Sequence, residues 1–216
     1  MRTFVFIDAS NLFYGGEKSL GWKIDYQKLL NYLKEKYGIS RALYFGGAEI
    51  YDFNYNYLLQ DTVPIEDVAR HLLDKIKNKS DKLDDVKLIL INRHLKRIKF
   101  YSKLKSFGYE LHLKPVKLYY DYDEDQQMLV SKRKANCDVD MTFYLMKEMD
   151  NFDKIIVLSG DGDFLPVLKY LREQKKEVVV LARGPRTARE IRQFAGSNFR
   201  DFEYLKYMLK MEDKKK

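Results

Sequence analysis

The strongest constraint on the fold is the stretch Lys154–Phe164, where an apolar run ends abruptly in glycines and carboxylates. Residues 155–158 are consecutive, apolar and mostly β-branched, which predicts a fully buried strand. The sequence Ser-Gly-Asp-Gly-Asp follows, and apolar residues then recur at helical spacing. Open α/β sheets bind ligands at the carboxyl ends of their strands. The stretch therefore predicts that Asp161 and Asp163 lie at a ligand-binding edge.

The rest of the chain repeats this alternation of strand, polar turn and helix. The apolar run Thr3–Ile7 predicts a first strand that ends at Asp8. Asp25 is placed as the N-cap of a helix that stops at Gly38, and residues 41–45 predict the next strand. This order indicates an α/β fold with a mostly parallel sheet and crossover helices.

The middle of the chain is less regular. A helix is predicted from Pro64 to Lys77, and a strand over 108–113 that Pro115 stops. Residues 86–91 fit either a strand or the start of a helix that runs on to residue 106. Residues 119–134 have no clean period, which predicts a flexible loop.

Composition limits the classes of protein that the chain can form. Its 216 residues suit one domain with an insertion, and 45% hydrophobic content excludes global disorder. No apolar run approaches the roughly 20 residues that span a bilayer, and the apolar start is too short for a signal peptide. The lone Cys137 excludes an internal disulfide, which fits a cytoplasmic protein. The net charge of +8 fits a polyanionic partner, and equally fits lysines that only confer solubility.

Acidic residues recur where the predicted elements meet one edge of the sheet. They are Asp8 after the first strand, Asp161 and Asp163 after a later one, and Asp138 with Asp140 at a helix start. Each carboxylate in a cluster raises the pKa of its neighbours unless a cation balances the charge. Oxygen-only ligands favour Mg²⁺ or Mn²⁺, and such a site suits phosphodiester hydrolysis. Taken alone, an aspartate after a strand is more typical of a turn or an N-cap than of a metal site.

Three ordered motifs and a closing segment of the chain together resemble those of a known family. The opening motif is residues 4–15, Phe-Val-Phe-Ile-Asp-Ala-Ser-Asn-Leu-Phe-Tyr-Gly. The central motif is residues 134–141, Lys-Ala-Asn-Cys-Asp-Val-Asp-Met, and the third is residues 158–166, Leu-Ser-Gly-Asp-Gly-Asp-Phe-Leu-Pro. These motifs resemble those of the NYN domain, the LabA-like branch of the PIN-domain nuclease superfamily. Residues 191–195 and 198–202 are similar to the closing segment of that family.

The resemblance implies a three-layer α/β/α sandwich and a metal-dependent endoribonuclease that uses Mg²⁺ or Mn²⁺. The implied nuclease domain spans 1–205, with an insertion at about 49–94, and a basic tail follows at 206–216. Its catalytic cluster maps onto Asp8, Asn11, Asp138, Asp161 and Asp163, and the four aspartates are the implied metal ligands. Ser159 and Asp140 are candidates for support. Helix positions two apart face different ways, which favours Asp138 over Asp140 as the ligand.

The expected partner is RNA, in single-stranded or loop regions. Basic side chains are expected to contact its phosphates, and the candidates are Lys132, Arg133, Lys134, Arg183, Arg186 and Arg189. With Arg192, the last two are predicted to form one helical stripe. Two alternatives stay open: an RNA-binding or adaptor module with a weak or inactive site, and a structure-specific DNA nuclease. Asp163 is expected to act through water or as an N-cap, and Asp161 as the direct ligand.

Overall fold

The computed structural model describes residues 1–13, 18–77, 85–123 and 128–212, with the backbone alone at 118–123 and 128–134. The strands are β1 (Thr3–Asp8), β2 (Ile39–Ala48), β3 (Glu110–Pro115), β4 (Lys117–Asp123), β5 (Met128–Lys134), β6 (Lys154–Leu158), β7 (Glu177–Ala182) and β8 (Phe199–Asp201). The helices are α1 (Ala9–Asn11), α2 (Lys18–Leu20), α3 (Tyr26–Tyr37), α4 (Ile65–Lys77), α5 (Asp85–Phe107), α6 (Asp138–Lys147), α7 (Leu165–Glu173), α8 (Arg189–Ala195) and α9 (Lys206–Leu209).

Six of these strands form one sheet in the order β3-β2-β1-β6-β7-β8. Strand β1 pairs in parallel with β2 and with β6, and the pairs β6–β7 and β7–β8 are also parallel. All six residues of β1 are buried, because a strand flanks it on each side and helices cover both faces of the sheet. Helices cover both faces of the sheet, which confirms the predicted α/β/α architecture. The parallel order brings the carboxyl ends of β1, β6, β7 and β8 to one edge.

Helix α3 shows why local sequence signals worked well near the start of the chain. The Asp25 carboxylate accepts hydrogen bonds from the backbone N–H groups of Gln27 and Lys28 at 2.9 and 3.1 Å. Gly38 ends the helix in the left-handed region at φ 61°, which favours glycine because it has no Cβ. Both ends of the helix therefore confirm the prediction.

The described residues group into two compact units. One contains 1–45, 107–110 and 138–212, and the other contains 46–106 and 111–137 as far as they are described. The predicted insertion at about 49–94 falls inside the second unit, and its boundaries stay a prediction. Within that unit, the Tyr101 hydroxyl donates a hydrogen bond of 2.6 Å to the carbonyl of Gly47.

Helix α5 resolves the ambiguity over residues 86–106 in favour of a helix. Its buried side chains Ile91, Leu95, Ile98 and Leu104 recur at helical spacing, whereas Val86 and its neighbours at the start are exposed. In the described part of the chain, no helix has the length and apolar character needed to cross a membrane.

The prediction of a flexible loop over 119–134 is wrong. Strands β4 and β5 pair antiparallel in this region, with Tyr120 opposite Ser131 and Tyr122 opposite Leu129. The sequence contains tyrosine, leucine and valine, which favour strands, but it lacks the alternation that reveals a strand with one buried face. Pairing between the two segments supplies the order that periodicity failed to show.

The predicted basic tail at 206–216 stays a prediction, although part of this segment is folded. Helix α9 occupies its first residues, and Leu209 is fully buried. The carbonyl of Leu209 accepts a hydrogen bond from the backbone N–H of Asp25 at 2.8 Å, and the N–H of Met211 donates to Lys23 at 2.9 Å. The first unit therefore includes residues up to 212, and residues 213–216 lie outside the described part.

Replacement of the N-cap tests the reading of helix α3. Asp25→Ala is expected to lower the free energy of unfolding by about 1 kcal/mol, because two backbone N–H groups lose their acceptor. Asp25→Asn is the matched control, since asparagine caps helices about as well as aspartate. Urea unfolding followed by circular dichroism measures both variants. Equal losses for alanine and asparagine would contradict the assignment.

Candidate functional site

The site is built around Asp8, the last residue of β1. Its side chain is 6% exposed. Oxygen Oδ1 accepts hydrogen bonds from the backbone N–H groups of Ser10 and Asn11, at 2.9 and 3.1 Å. The same carboxylate thus caps helix α1, which fixes its direction at the edge of the sheet.

Ser159 connects Asp8 to the loop that follows β6. Its hydroxyl donates to Asp8 Oδ2 at 3.1 Å and accepts from the backbone N–H of Asp161 at 3.2 Å. In parallel, the N–H of Gly160 donates to Asn11 Oδ1 at 3.0 Å. Two neighbouring strand ends are therefore joined by two separate hydrogen-bonded links, as expected from the parallel pairing of β1 and β6.

The environment of the Asp8 carboxyl group disfavours a negative charge. Its pKa is raised from 3.8 to about 6, mainly because burial disfavours the carboxylate, and also because of the negative charge of Asp138. Hydrogen bonds from Asn11, Ser159 and Ser10 lower the pKa and offset part of this effect. Asp138 is half-buried in the first turn of α6. The structure therefore brings the negative charges of two predicted ligands into interaction.

The other predicted acids occupy distinct positions around this pair. Asp161 is half-buried and caps the 3-10 turn Gly162–Phe164, where Oδ1 accepts from the N–H of Asp163 at 3.0 Å. The N-cap is thus Asp161, which corrects the idea that Asp163 caps the turn. Asp163 itself is exposed. Asp140 is half-buried one residue beyond Val139, also in the first turn of α6.

The donor set suits a hard divalent cation chemically. It offers carboxylate oxygens and no sulfur or imidazole, which is the ligand type of Mg²⁺ and Mn²⁺. Asp8 accepts three hydrogen bonds from described residues, and a carboxylate has about four acceptor positions, so Oδ2 keeps one position for a ligand. Among residues 1–13, 18–77, 85–123 and 128–212, no group of three or more His, Cys, Asp or Glu side chains is already arranged to hold a metal ion.

The loop 159–163 packs against a segment that sequence reasoning did not connect with the site. The N–H of Ala188 donates to the Gly160 carbonyl at 2.8 Å. A Cβ on Gly160 would lie 2.7 Å from Thr187 Oγ1 and 2.9 Å from Thr187 Cα, whereas one on Gly162 would overlap the exposed carboxylate of Glu190. Glu190 is therefore a further acid beside the site. Nothing in its local sequence indicated this, because the fold creates the contact.

The predicted RNA-contacting residues are not equivalent in the structure. Arg183 pairs with Asp201 at 3.3 Å and also with Glu203, so its charge is already balanced. Arg186 lies in a 3-10 turn and Arg189 begins α8, and both are exposed. The predicted single helical stripe is wrong, because extended backbone at residues 187 and 188 separates them. The side chains of Lys132, Arg133 and Lys134 lie outside the described part of the structure.

Comparison with known proteins identifies the family. The model of the NYN domain matches residues 50–205. The chain belongs to the NYN domain family. The matched residues include Asp138, Ser159 and Asp161, whereas the opening strand and Asp8 precede them.

Two individual proteins resemble this NYN domain over most of its length. The "Low amplitude and bright protein LabA" of Synechococcus elongatus is 24% identical over 191 residues, covering 88% of this chain and 78% of LabA. The crystal structure of a protein of unknown function from Vibrio parahaemolyticus is 17% identical and has a TM-score of 0.56. That alignment covers 93% of this chain and 91% of the other. The second likeness shows the fold alone.

Removing the Asp8 charge tests the electrostatic cost in metal-free buffer. Because the pKa in the folded state is raised, the cost is fully present above about pH 6 and disappears as the pH falls below 3.8. The raised pKa corresponds to about 3 kcal/mol of destabilisation when Asp8 is ionised. Asp8→Asn removes this cost, but part of the gain is lost because the Ser159 hydroxyl no longer has a carboxylate acceptor. We therefore expect the Asn variant to be more stable by about 1–2 kcal/mol at about pH 8, and not below about pH 4.

Chemical unfolding with a chelator present, at several pH values, measures this difference. Asp163→Asn is the matched control in the same loop region, because Asp163 is exposed. A gain in stability that does not depend on pH, or the same gain in the control, would contradict the proposed cause.

The two glycines of the loop provide a second test. Gly160→Ala is expected to destabilise the NYN domain by about 1–3 kcal/mol, because the backbone of Thr187 obstructs the new methyl group. Gly162→Ala is expected to change stability by less than about 0.5 kcal/mol, since the exposed Glu190 side chain can move aside. Thermal unfolding of both variants makes the comparison. Equal effects would show that the packing of residues 187–190 does not hold the loop.

Proposed function

We propose that this NYN domain is a metal-dependent endoribonuclease that hydrolyses phosphodiester bonds in single-stranded or loop RNA. The observation that carries the proposal is the meeting of Asp8, Asp138 and the Ser159–Asp161 loop at one sheet edge. Asp8 is buried, the negative charge of Asp138 raises its pKa, and Ser159 links it to Asp161 by hydrogen bonds. Membership of the NYN family supports nuclease chemistry directed at RNA.

Asp8, Asp138 and Asp161 would hold Mg²⁺ or Mn²⁺, and Asp163 would contribute from the exposed side of the loop. The raised pKa of Asp8 supports this assignment, because a bound cation would remove the electrostatic cost of ionising the carboxyl group. A divalent ion in such a site acidifies water and balances charge that develops on a phosphodiester.

The remaining polar residues would position this cluster. Ser159 fixes the direction of Asp8 Oδ2, and Asn11 holds the Gly160 backbone. Asp161 caps the turn that follows, so its backbone and carboxylate are both fixed before substrate binds. Such pre-positioning contributes to catalysis because geometry is set before the reaction begins.

RNA as the substrate is supported by charge. The chain has a formal net charge of +8, and the exposed Arg186 and Arg189 follow the same strand, β7, toward the site edge. Cations near a hydrolytic site attract and orient a polyanion. A cytoplasmic location is part of the proposal, because the chain has a single cysteine, Cys137, and therefore no internal disulfide.

Cleavage assays test the function directly. Wild-type protein with Mn²⁺ is expected to cut an internally labelled single-stranded RNA, and Asp8→Asn or Asp161→Asn to slow cleavage by roughly 100-fold or more. Asp153→Asn is the control: this exposed aspartate precedes β6, at the opposite end of the strand, and is expected to leave cleavage unchanged.

The same assay separates the rival functions. Single-stranded DNA and flap substrates are run beside RNA, and faster cleavage of these would indicate a structure-specific DNA nuclease. Wild-type protein that binds RNA but cleaves none of the substrates with Mg²⁺ or Mn²⁺ would indicate a binding or adaptor module. Retained folding of each variant is verified by circular dichroism.

A further inference from the structure

We propose that a cavity beside β8 binds one nucleotide unit, with its phosphate on a group of cations and its base against aromatic rings. The inference deepens the proposed function, on which it rests for an RNA strand as the natural ligand. Binding is nevertheless measurable without cleavage, so the two claims are tested separately.

The cavity has a volume of about 570 Å³. That size is within the range of small-molecule sites in proteins, about 300–1,000 Å³. Gly184 lies just beyond β7, and Asp201 ends β8, so part of the lining belongs to the sheet edge that also carries Asp8. The lining continues onto α8 and, at Lys36, onto the end of α3. This part of the lining therefore shares a sheet edge with the acidic cluster.

The lining carries an excess of positive charge. Lys36, Arg192 and Arg200 are its cations, and among the described lining residues Asp201 is the acid. The Asp201 carboxylate is already occupied: it accepts from the backbone N–H groups of Gly184 and Glu203 at 3.0 and 2.9 Å and pairs with Arg183. Its oxygens are thus engaged by these groups, and the lining carries three cations against this one acid, which favours an anion such as phosphate.

Two of these cations are held in place by the fold. Arg200 Nη1 donates to the carbonyls of Ser197 and Phe199 at 2.6 and 2.8 Å. Lys36 Nζ lies over the rings of Tyr32 and Tyr37, at 5.3 and 5.7 Å from their centroids. Less side-chain entropy is lost when a ligand binds to groups that are already ordered. This arrangement distinguishes the cavity from a surface with scattered lysines.

Aromatic side chains stand beside the cations. Tyr204 lines the cavity and is 83% exposed, and Phe199 lines it from strand β8. Aromatic rings next to a basic track bind single-stranded nucleic acid because each base presents a face for stacking. An acidic peptide would use the cations but not the rings. The combination therefore favours a nucleotide, with little selection among bases.

The test measures binding with a chelator present, so that cleavage does not interfere. Fluorescence anisotropy of a short unstructured oligoribonucleotide is compared for Tyr204→Ala and for Tyr207→Ala. Tyr207 is fully exposed in the same segment but does not line the cavity, which makes it a matched control. We expect the Tyr204 variant to bind about tenfold more weakly, from the loss of one stacked base, and the control to bind as the wild type does.

A second pair of variants tests the phosphate contacts. Lys36→Gln combined with Arg192→Gln is expected to weaken RNA binding by about tenfold and to reduce its salt dependence. Lys23→Gln combined with Arg70→Gln removes the same charge from exposed positions outside the cavity lining and is expected to have a much smaller effect. Adenosine monophosphate is titrated in parallel: competition with RNA would indicate a free nucleotide as an additional ligand, and lack of competition an RNA strand alone.

Each result decides the proposal. Equal RNA binding by the cavity variants and their controls would overturn it, as would equal weakening by both. Polyglutamate serves as an acidic peptide in the same assay. If the cavity variants weaken the binding of polyglutamate but not the binding of RNA, the proposal is also overturned. If the cavity variants weaken RNA binding, their controls do not, and wild type cleaves no RNA, then nucleotide binding in the cavity is supported and the ribonuclease proposal fails.

Discussion

The bridge from Asp8 through the Ser159 hydroxyl to the backbone of Asp161 is the contact on which the candidate site depends. It joins the ends of two adjacent parallel strands, at 3.1 and 3.2 Å, so the register of the sheet sets the register of the acids. Asn11 adds a second link to Gly160. The loop that bears Asp161 then packs on Thr187 and Ala188, which follow the next strand. Three successive strand ends thus hold one small cluster.

This arrangement is costly for the metal-free folded protein and would favour the binding of a cation. Burial and the charge of Asp138 raise the pKa of Asp8, so the metal-free cluster is held together against electrostatic repulsion. The sheet and the cap of α1 supply the stability that offsets it. A cation would reverse the sign of the interaction, because the same carboxylates that repel each other would become its ligands. Strained polar clusters of this kind are typical of functional sites.

The sequence predicts those features that depend on neighbouring residues. The buried strands, the cap at Asp25, the stop at Gly38 and the position of Asp8 and Asp161 after their strands all follow from local patterns. Features that depend on distant contacts were missed: the pairing of β4 with β5, the approach of Glu190 to Gly162, and the neutralisation of Arg183 by Asp201 and Glu203. Each joins segments whose sequences carry no signal of the other.

In the proposed function, Asp8, Asp138 and Asp161 together bind a divalent cation. Titration of Mn²⁺ into the protein, followed by the electron paramagnetic resonance signal of the free ion, measures this directly and needs no substrate. We expect wild type to remove free Mn²⁺ from solution, Asp8→Asn and Asp138→Asn each to lose this binding, and Asp153→Asn to keep it. Binding that is the same in all four proteins, or absent from the folded wild type, would contradict it.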